Sequence, residues 1–189
     1  MRHAFKEWAV ICRALAEGRQ ALILRKGGIE EAGGAFRVEQ TRFWLYPTWG
    51  HQQRDGIKPE ASPLLEQAET DRPPPGLLRL SHFAEVTGVY HVHNLAGALA
   101  IGALHLWSME TVQARFAYRW PGLYVLPVRI WKAAQVHELP EAPAYAGCKS
   151  WVELEQDLPT EEAAPVLADE AVRDVQRTLD RLLKPTALA

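Results

Sequence analysis

Leu123-Tyr-Val-Leu-Pro-Val-Arg-Ile-Trp131 is the stretch on which the fold turns. Tyr124, Leu126, Val128 and Ile130 recur at every second position, the period of a strand with one buried face. Pro127, in the middle of the run, has no N–H to give to a ladder. It therefore predicts a sheet edge, a bulge or a barrel corner at that point.

Working outward, Ala21-Leu-Ile-Leu24 is a short apolar run without a breaker and predicts a buried strand. Arg25-Lys-Gly-Gly28 closes it, setting two cations and a flexible backbone at the strand end. Residues 30–35 are Gly-rich and read as a turn. Phe36 and Val38, then Phe43-Trp-Leu-Tyr46, have the aromatic and β-branched enrichment of strands, with Pro47 ending the second. Residues 86–92 and Trp151-Val-Glu-Leu154 bring the expected sheet to five or six strands.

Helical periodicity flanks these runs. Phe5, Trp8, Cys12 and Leu15 fall at i, i+3, i+7 and i+10, which predicts an N-terminal helix stopped by Gly18. Residues 95–104 and 109–116 predict two short helices, the second capped by Ser108. Val172, Val175, Leu179 and Leu182 share a face and predict a C-terminal helix near 169–184, capped by Asp169 and ended by Pro185. Residues 55–76 are polar, contain Pro73-Pro-Pro75, and read as a mobile surface excursion, partly helical around Leu64-Leu65. The expected architecture is one α+β domain over residues 1–189, with a curved or barrel-like mixed sheet and flanking helices.

The chain has 189 residues, 48% hydrophobic and 23% charged, an ordinary globular composition large enough for an unstapled core. Cys12 and Cys148 are too few for a disulfide framework and are expected as reduced thiols. No apolar stretch reaches the roughly 18 residues of a membrane span, and the opening residues lack the apolar region of a signal peptide. The expected address is cytoplasmic. The net charge of −2 divides unevenly: ten Lys/Arg oppose seven Asp/Glu in 1–60, and five oppose two in 111–152. These basic segments alternate with acidic ones. If they meet in space they form a phosphate-facing patch; otherwise they are solvated faces.

His91 and His93 would share one side of a strand, but His105 is twelve residues on, no recognised metal-ligand spacing. No metal or cofactor is expected. Cys148 has Lys149 beside it yet no local base to make it a nucleophile. Phosphate-cradling, dinucleotide and nucleophile-elbow glycine motifs are absent, as is the acidic-x-Lys spacing of metal-dependent nucleases. The aromatic residues carry more. Phe43, Trp44, Tyr46 and Trp49 surround a turn ending in His51-Gln52, and Arg115, Phe116, Tyr118, Arg119 and Trp120 interleave cations with rings. Flat side chains beside cations serve base stacking and phosphate contact, and equally serve as core with a charged rim.

The expected site gathers Arg25, Lys26, Trp49, His51 and Gln52 in one cleft, with Arg115, Tyr118 and Arg119 at its rim. Gly27 and Gly28 would leave backbone N–H groups open to a phosphate. A structural account stands beside it, in which Arg25 pairs with an acidic neighbour such as Glu7 and Trp49 plugs the core. The expected function is a nucleic-acid-binding module with DNA or RNA as its partner; a small nucleic-acid-directed hydrolase or nuclease, and a protein-interaction scaffold with no nucleic-acid role, are the alternatives.

Ala4-Phe-Lys-Glu-Trp8, Leu24-Arg-Lys-Gly-Gly-Ile29, Pro47-Thr-Trp-Gly-His-Gln52, Leu106-Trp107, Arg115-Phe-Ala-Tyr-Arg119 and Tyr145-Ala-Gly-Cys-Lys-Ser-Trp151 occur in this order. Together they resemble the bacterial domain-of-unknown-function family 1802 over nearly the whole chain. That resemblance implies a role beside Mrr-type restriction nuclease domains, and so a restriction-type nuclease as a partner, but no established activity. Gly18-Arg-Gln-Ala-Leu-Ile-Leu-Arg25 after an amphipathic helix is also similar to the Gly-Lys-Lys-Thr-x-Glu-x-Arg strand of ASCH domains. The turn and strand from Leu139-Pro140 to Trp151 are similar to theirs. This likeness implies a PUA-like β-barrel that handles RNA or modified bases. Where hydrolytic relatives carry Lys, Thr and Glu, this chain has Gln20, Ala21 and Ile23, which argues against that hydrolysis; Arg25 alone carries over.

Overall fold

The structure, a computed structural model, describes residues 1–26, 40–147 and 149–183. In chain order the elements are β1 (His3–Trp8), α1 (Ala9–Ala16), β2 (Leu22–Arg25), β3 (Arg42–Thr48), α2 (Ser62–Thr70), β4 (Leu77–Val86) and β5 (Tyr90–Val92). Then come α3 (Leu95–Ala100), α4 (Met109–Ala117), β6 (Leu123–Pro140), β7 (Trp151–Glu153), β8 (Ala164–Pro165) and α5 (Asp169–Leu182). Gly27, Gly28, the turn read at 30–35, the strand read at Phe36 and Val38, Cys148 and Pro185 lie outside the described residues.

The strands form one eight-stranded mixed sheet in the order β2-β6-β4-β3-β1-β7, with β5 and β8 also paired to β6. Among the described residues only β1 and β3 pair parallel. The bend is in β6. Its first residues pair with β2 on one edge and β5 on the other, while its remainder pairs with β4. Pro127 sits at that handover, its carbonyl accepting from the Thr87 N–H at 2.9 Å where β4 has ended and β5 not yet begun. A residue without an N–H is tolerated where a strand changes partner, so of the edge, bulge or corner read from Pro127 the structure shows a corner, where the sheet curls. The Arg25 side chain of β2 reaches Ser150, the residue before β7. The two ends of the strand order are thus drawn together into a half-barrel.

Alternation along β1 and β3 sorts side chains into two cores. Phe5, Phe43 and Leu45 face inward with α1 and the face of α5 carrying Leu179. Ala4, Trp44 and Tyr46 face outward with Leu80, Phe83 and Tyr145.

The structure corrects the sequence reading in four places. Residues 3–8 form a strand, and the helix begins only at Ala9. The Phe5–Trp8 spacing fits a helix, but ladders to β3 and β7 hold these residues extended, a non-local gain that local periodicity does not register. Residues 77–85 belong to β4, where a register shift between Leu80 and His82 interrupts the alternation that would have announced the strand. The segment over 55–76 carries α2, the helix read around Leu64-Leu65, but it is no surface excursion throughout, since Ile57, Ala61, Leu64 and Leu65 are buried in the inner core. Asp169 is the first residue of α5 rather than its cap, and it pairs with Arg129. Elsewhere Gly18, at φ 68°, ends α1 and Ser108 caps α4, accepting from the Thr111 N–H at 3.2 Å.

Candidate functional site

Glu7, named from the sequence only as a structural partner for Arg25, is buried on the inner face. It follows Phe5 on the inward face of β1, and only 3% of its surface is exposed. Its Oε1 accepts from the Trp8 N–H at 2.8 Å, while Oε2 is buried and has no partner among the described residues. A buried carboxyl left half-satisfied is costly, so its retention calls for an explanation.

Around it stand cations and indoles. Arg115 projects inward from α4, donates to the Leu24 carbonyl at 3.3 Å, and lies 3.6 Å over the centroid of the Trp107 ring. Trp8 meets Trp107 edge-on at 4.7 Å and is also within 5.9 Å of the Arg115 guanidinium. Burial pushes Arg115 down to about 10, opposed by the attraction of Glu7 and assisted by the repulsion of Arg25, so it stays protonated at neutral pH. Arg25 lies 4.7 Å over the Phe5 ring, and Phe5 in turn packs edge-on against Trp151 at 4.8 Å.

Local structure fixes these positions. Trp107 is held by an isolated bridge to Ile57, flanked by the Lys58 N–H to the Leu106 carbonyl (2.9 Å) and the Ser108 N–H to the Gly56 carbonyl (3.1 Å). Gly56 is required by close approach, since a Cβ there would meet the Trp8 ring at 2.6 Å. Buried Gln20 donates to the Leu22 carbonyl at 2.7 Å and accepts from the Leu106 N–H at 2.9 Å. It braces the strand that carries Arg25 to the loop that carries Trp107.

Polar atoms without partners cluster here. Trp107 Nε1, Trp151 Nε1 and both ring nitrogens of His105 are buried and unpartnered among the described residues. Burial, with Lys58 and Arg115 nearby, pushes His105 down to about 4, so it is neutral at pH 7. The interior thus offers an acceptor in Glu7, indole donors, and a guanidinium sandwiched among rings. Cys12 adds no nucleophile, because burial and then Glu7 push its thiol well up.

The other sequence-predicted residues are distributed as follows. Lys26, next to Arg25 but beyond the strand, donates to the Phe116 carbonyl (3.1 Å), the Gly122 carbonyl (2.8 Å) and the Trp120 carbonyl, tying down the end of α4. Gln52 accepts from the Val10 N–H at 3.2 Å at the start of α1 and donates to Glu69. Trp49 donates to the Ala68 carbonyl at 3.4 Å under Arg72 and lines a cleft of about 340 Å³ with Arg13, Arg79, His82 and Lys132. His51 is exposed in the turn after β3. Tyr118 and Arg119 are exposed just past α4, with the Arg119 guanidinium 5.2 Å from the Tyr118 ring. Arg25 and Arg115 therefore come together, while Lys26, Trp49 and Gln52 are engaged in bracing helices.

Two crystal structures of an ASCH protein from Zymomonas mobilis, one of them a serine-to-alanine mutant, are similar to this chain. The mutant aligns over 93% of this chain and 94% of its own at 12% identity with a TM-score of 0.46. The other aligns over 96% and 95% at 10% identity, also with a TM-score of 0.46. No curated protein matches the chain. No helix among the described residues is long and apolar enough to cross a membrane. The family model described as a domain of unknown function, DUF1802, matches residues 4–178, and the chain belongs to that family.

Proposed function

We propose that the protein is a nucleic-acid-binding module whose half-barrel interior receives one unpaired nucleotide. The observation that carries this reading is the Arg115 guanidinium, 3.6 Å over Trp107, beside a buried Glu7 with an unpartnered Oε2. Nucleotides present the complementary groups. A base has two faces for indoles, amino and imino donors for a carboxyl, and ring acceptors for an indole N–H. A phosphate suits the planar guanidinium of Arg115 or Arg25. Residues that serve only as core would have no need of so many buried polar atoms without partners, each costing about 1–3 kcal/mol.

The test is a titration of labelled single-stranded RNA, single-stranded DNA and duplex DNA, followed by fluorescence anisotropy over salt from about 50 to about 200 mM. Binding should weaken with salt, by about −0.7 per phosphate contacted in a log–log plot for a single strand. Glu7→Gln and Arg25→Gln should each weaken it about tenfold. Absence of binding at low salt, or indifference to both substitutions, contradicts the proposal. Strand cleavage that disappears in Glu7→Gln would replace the reader with a hydrolase.

A further inference from the structure

The end of α4 carries a second group of residues that the interior does not use. Tyr118 is 52% exposed and Trp120 44% exposed, unusual for rings of this size, and cations lie over both, Arg119 at 5.2 Å from the Tyr118 ring and Lys26 at 5.8 Å from the Trp120 ring. Between them Arg119 holds φ 59°, a left-handed conformation rare for a residue other than Gly, Asn or Asp. Across from this turn, His91 on β5 stacks on Tyr124 of β6 at 4.2 Å with the rings 7° from parallel, and exposed His93 lies 3.9 Å from His91. The two parts are joined, for a Cβ at Gly122 would stand 3.1 Å from His91 Nε2. Lys26 fastens the turn through the carbonyls of Trp120 and Gly122. Neither 91–95 nor 118–124 contains an Asp or Glu.

We infer that this surface is a stacking platform for the nucleotides flanking the one held inside, and that the ligand is therefore single-stranded. The inference rests on the interior reading above. Exposed rings flanked by a cation match successive unstacked bases and their backbone, whereas a duplex hides its base faces. The geometry also makes the platform contiguous with the interior. Arg115 points inward from the same helix whose next turn presents Tyr118, and adjacent Arg25 and Lys26 serve the inner and outer sides.

The experiment compares ligands of increasing length, from AMP to single-stranded RNA and DNA of about eight nucleotides, with a duplex of the same length. AMP reports the interior alone. Affinity should rise with length for both single strands and not for the duplex. Tyr118→Ala combined with Trp120→Ala should weaken the longest strand about fivefold or more while leaving AMP unchanged. Arg119→Asn removes the charge yet tolerates the left-handed backbone, and should flatten the salt dependence for the longest strand only. All three side chains are exposed, so circular dichroism should show intact folding. If AMP binds and Glu7→Gln weakens it, but length and the platform substitutions change nothing, the platform inference fails and the interior reading stands. If the longest strand binds through the platform while AMP does not bind and Glu7→Gln is silent, the interior reading fails, and with it the inference as stated. A preference for the duplex overturns the inference.

Discussion

The two faces of the sheet are both rich in aromatic residues, yet their tryptophans treat polar atoms in opposite ways. On the outer face Trp44 Nε1 donates to the Met1 carbonyl at 3.1 Å, the Tyr46 hydroxyl donates to Glu141 at 2.5 Å, and the Tyr145 hydroxyl accepts from the Glu155 N–H at 2.9 Å. On the inner face Trp107 and Trp151 leave their indole N–H groups unpartnered, and Glu7 leaves one oxygen so. Strand geometry is shared, so on the proposed function the difference reflects what each face is for. The outer Trp44, Tyr46 and Tyr145 close a core in which their polar tips have partners, although His137 Nε2 beside Trp44 is buried without one among the described residues. The inner ones hold donors and acceptors in reserve, at a cost in stability that binding would offset.

The largest expected effect separates the inner face from the solvent. Arg115→Met removes a desolvated cation–π contact and a charged hydrogen bond, and should cost about 3 kcal/mol in urea unfolding. Arg177→Met, on exposed α5 among Glu170 and Asp174, should leave the unfolding midpoint where it is. Equal effects would erase the contrast.

Acid should act through the inner face next. The pKa of His105 is about 4 in the folded protein, below its ordinary 6.5, so the unfolded chain binds more protons between those values. Its contribution is fully present above pH 6.5 and is lost as pH falls towards 4, by about 3 kcal/mol at one unit per 1.36 kcal/mol. His82, also near 4 through burial and Lys132, adds to the same fall. Replacing His105 with Leu should flatten stability against pH, and an unchanged profile would show that the ring is not held neutral.

Gly56→Ala tests the wedge between Trp8 and the loop that orders Trp107. A Cβ at 2.6 Å from ring carbons forces a shift, and a loss of about 1–3 kcal/mol is expected, together with weaker nucleotide binding. Wild-type stability would mean the ring yields freely. Smallest is Tyr46→Phe on the satisfied outer face, expected to cost about 1 kcal/mol and to leave binding untouched.

Much of this was legible in the residues. The alternation of 123–131 with a proline inside it announced a strand with an edge, bulge or corner at that point, because a missing N–H is a purely local fact with a topological consequence. The apolar run before Arg25 was equally plain. Residues 132–140 were not, since β6 there is mostly exposed and is ordered by its ladder to β4 rather than by a pattern of its own. For the site, Arg25 and Arg115 could be read as cations at element ends. Lys26, Trp49 and Gln52 carry the same chemistry, but the carbonyls and helix ends that engage them come from distant segments. Glu7 could be read only as a structural partner for Arg25, because its spacing from Phe5 places it inward only on a strand, and the local periodicity argued for a helix. The signal that could have found it was the same alternation, Phe5 then Glu7, applied to 3–8.

The most direct test follows the indole N–H signals by NMR as single-stranded oligonucleotide is added. The account predicts that Trp107 and Trp151 Nε1–H resonances shift, because these donors gain acceptors, while that of Trp44, already bonded to the Met1 carbonyl, stays in place. Movement of Trp44 with Trp107 and Trp151 unmoved would contradict it.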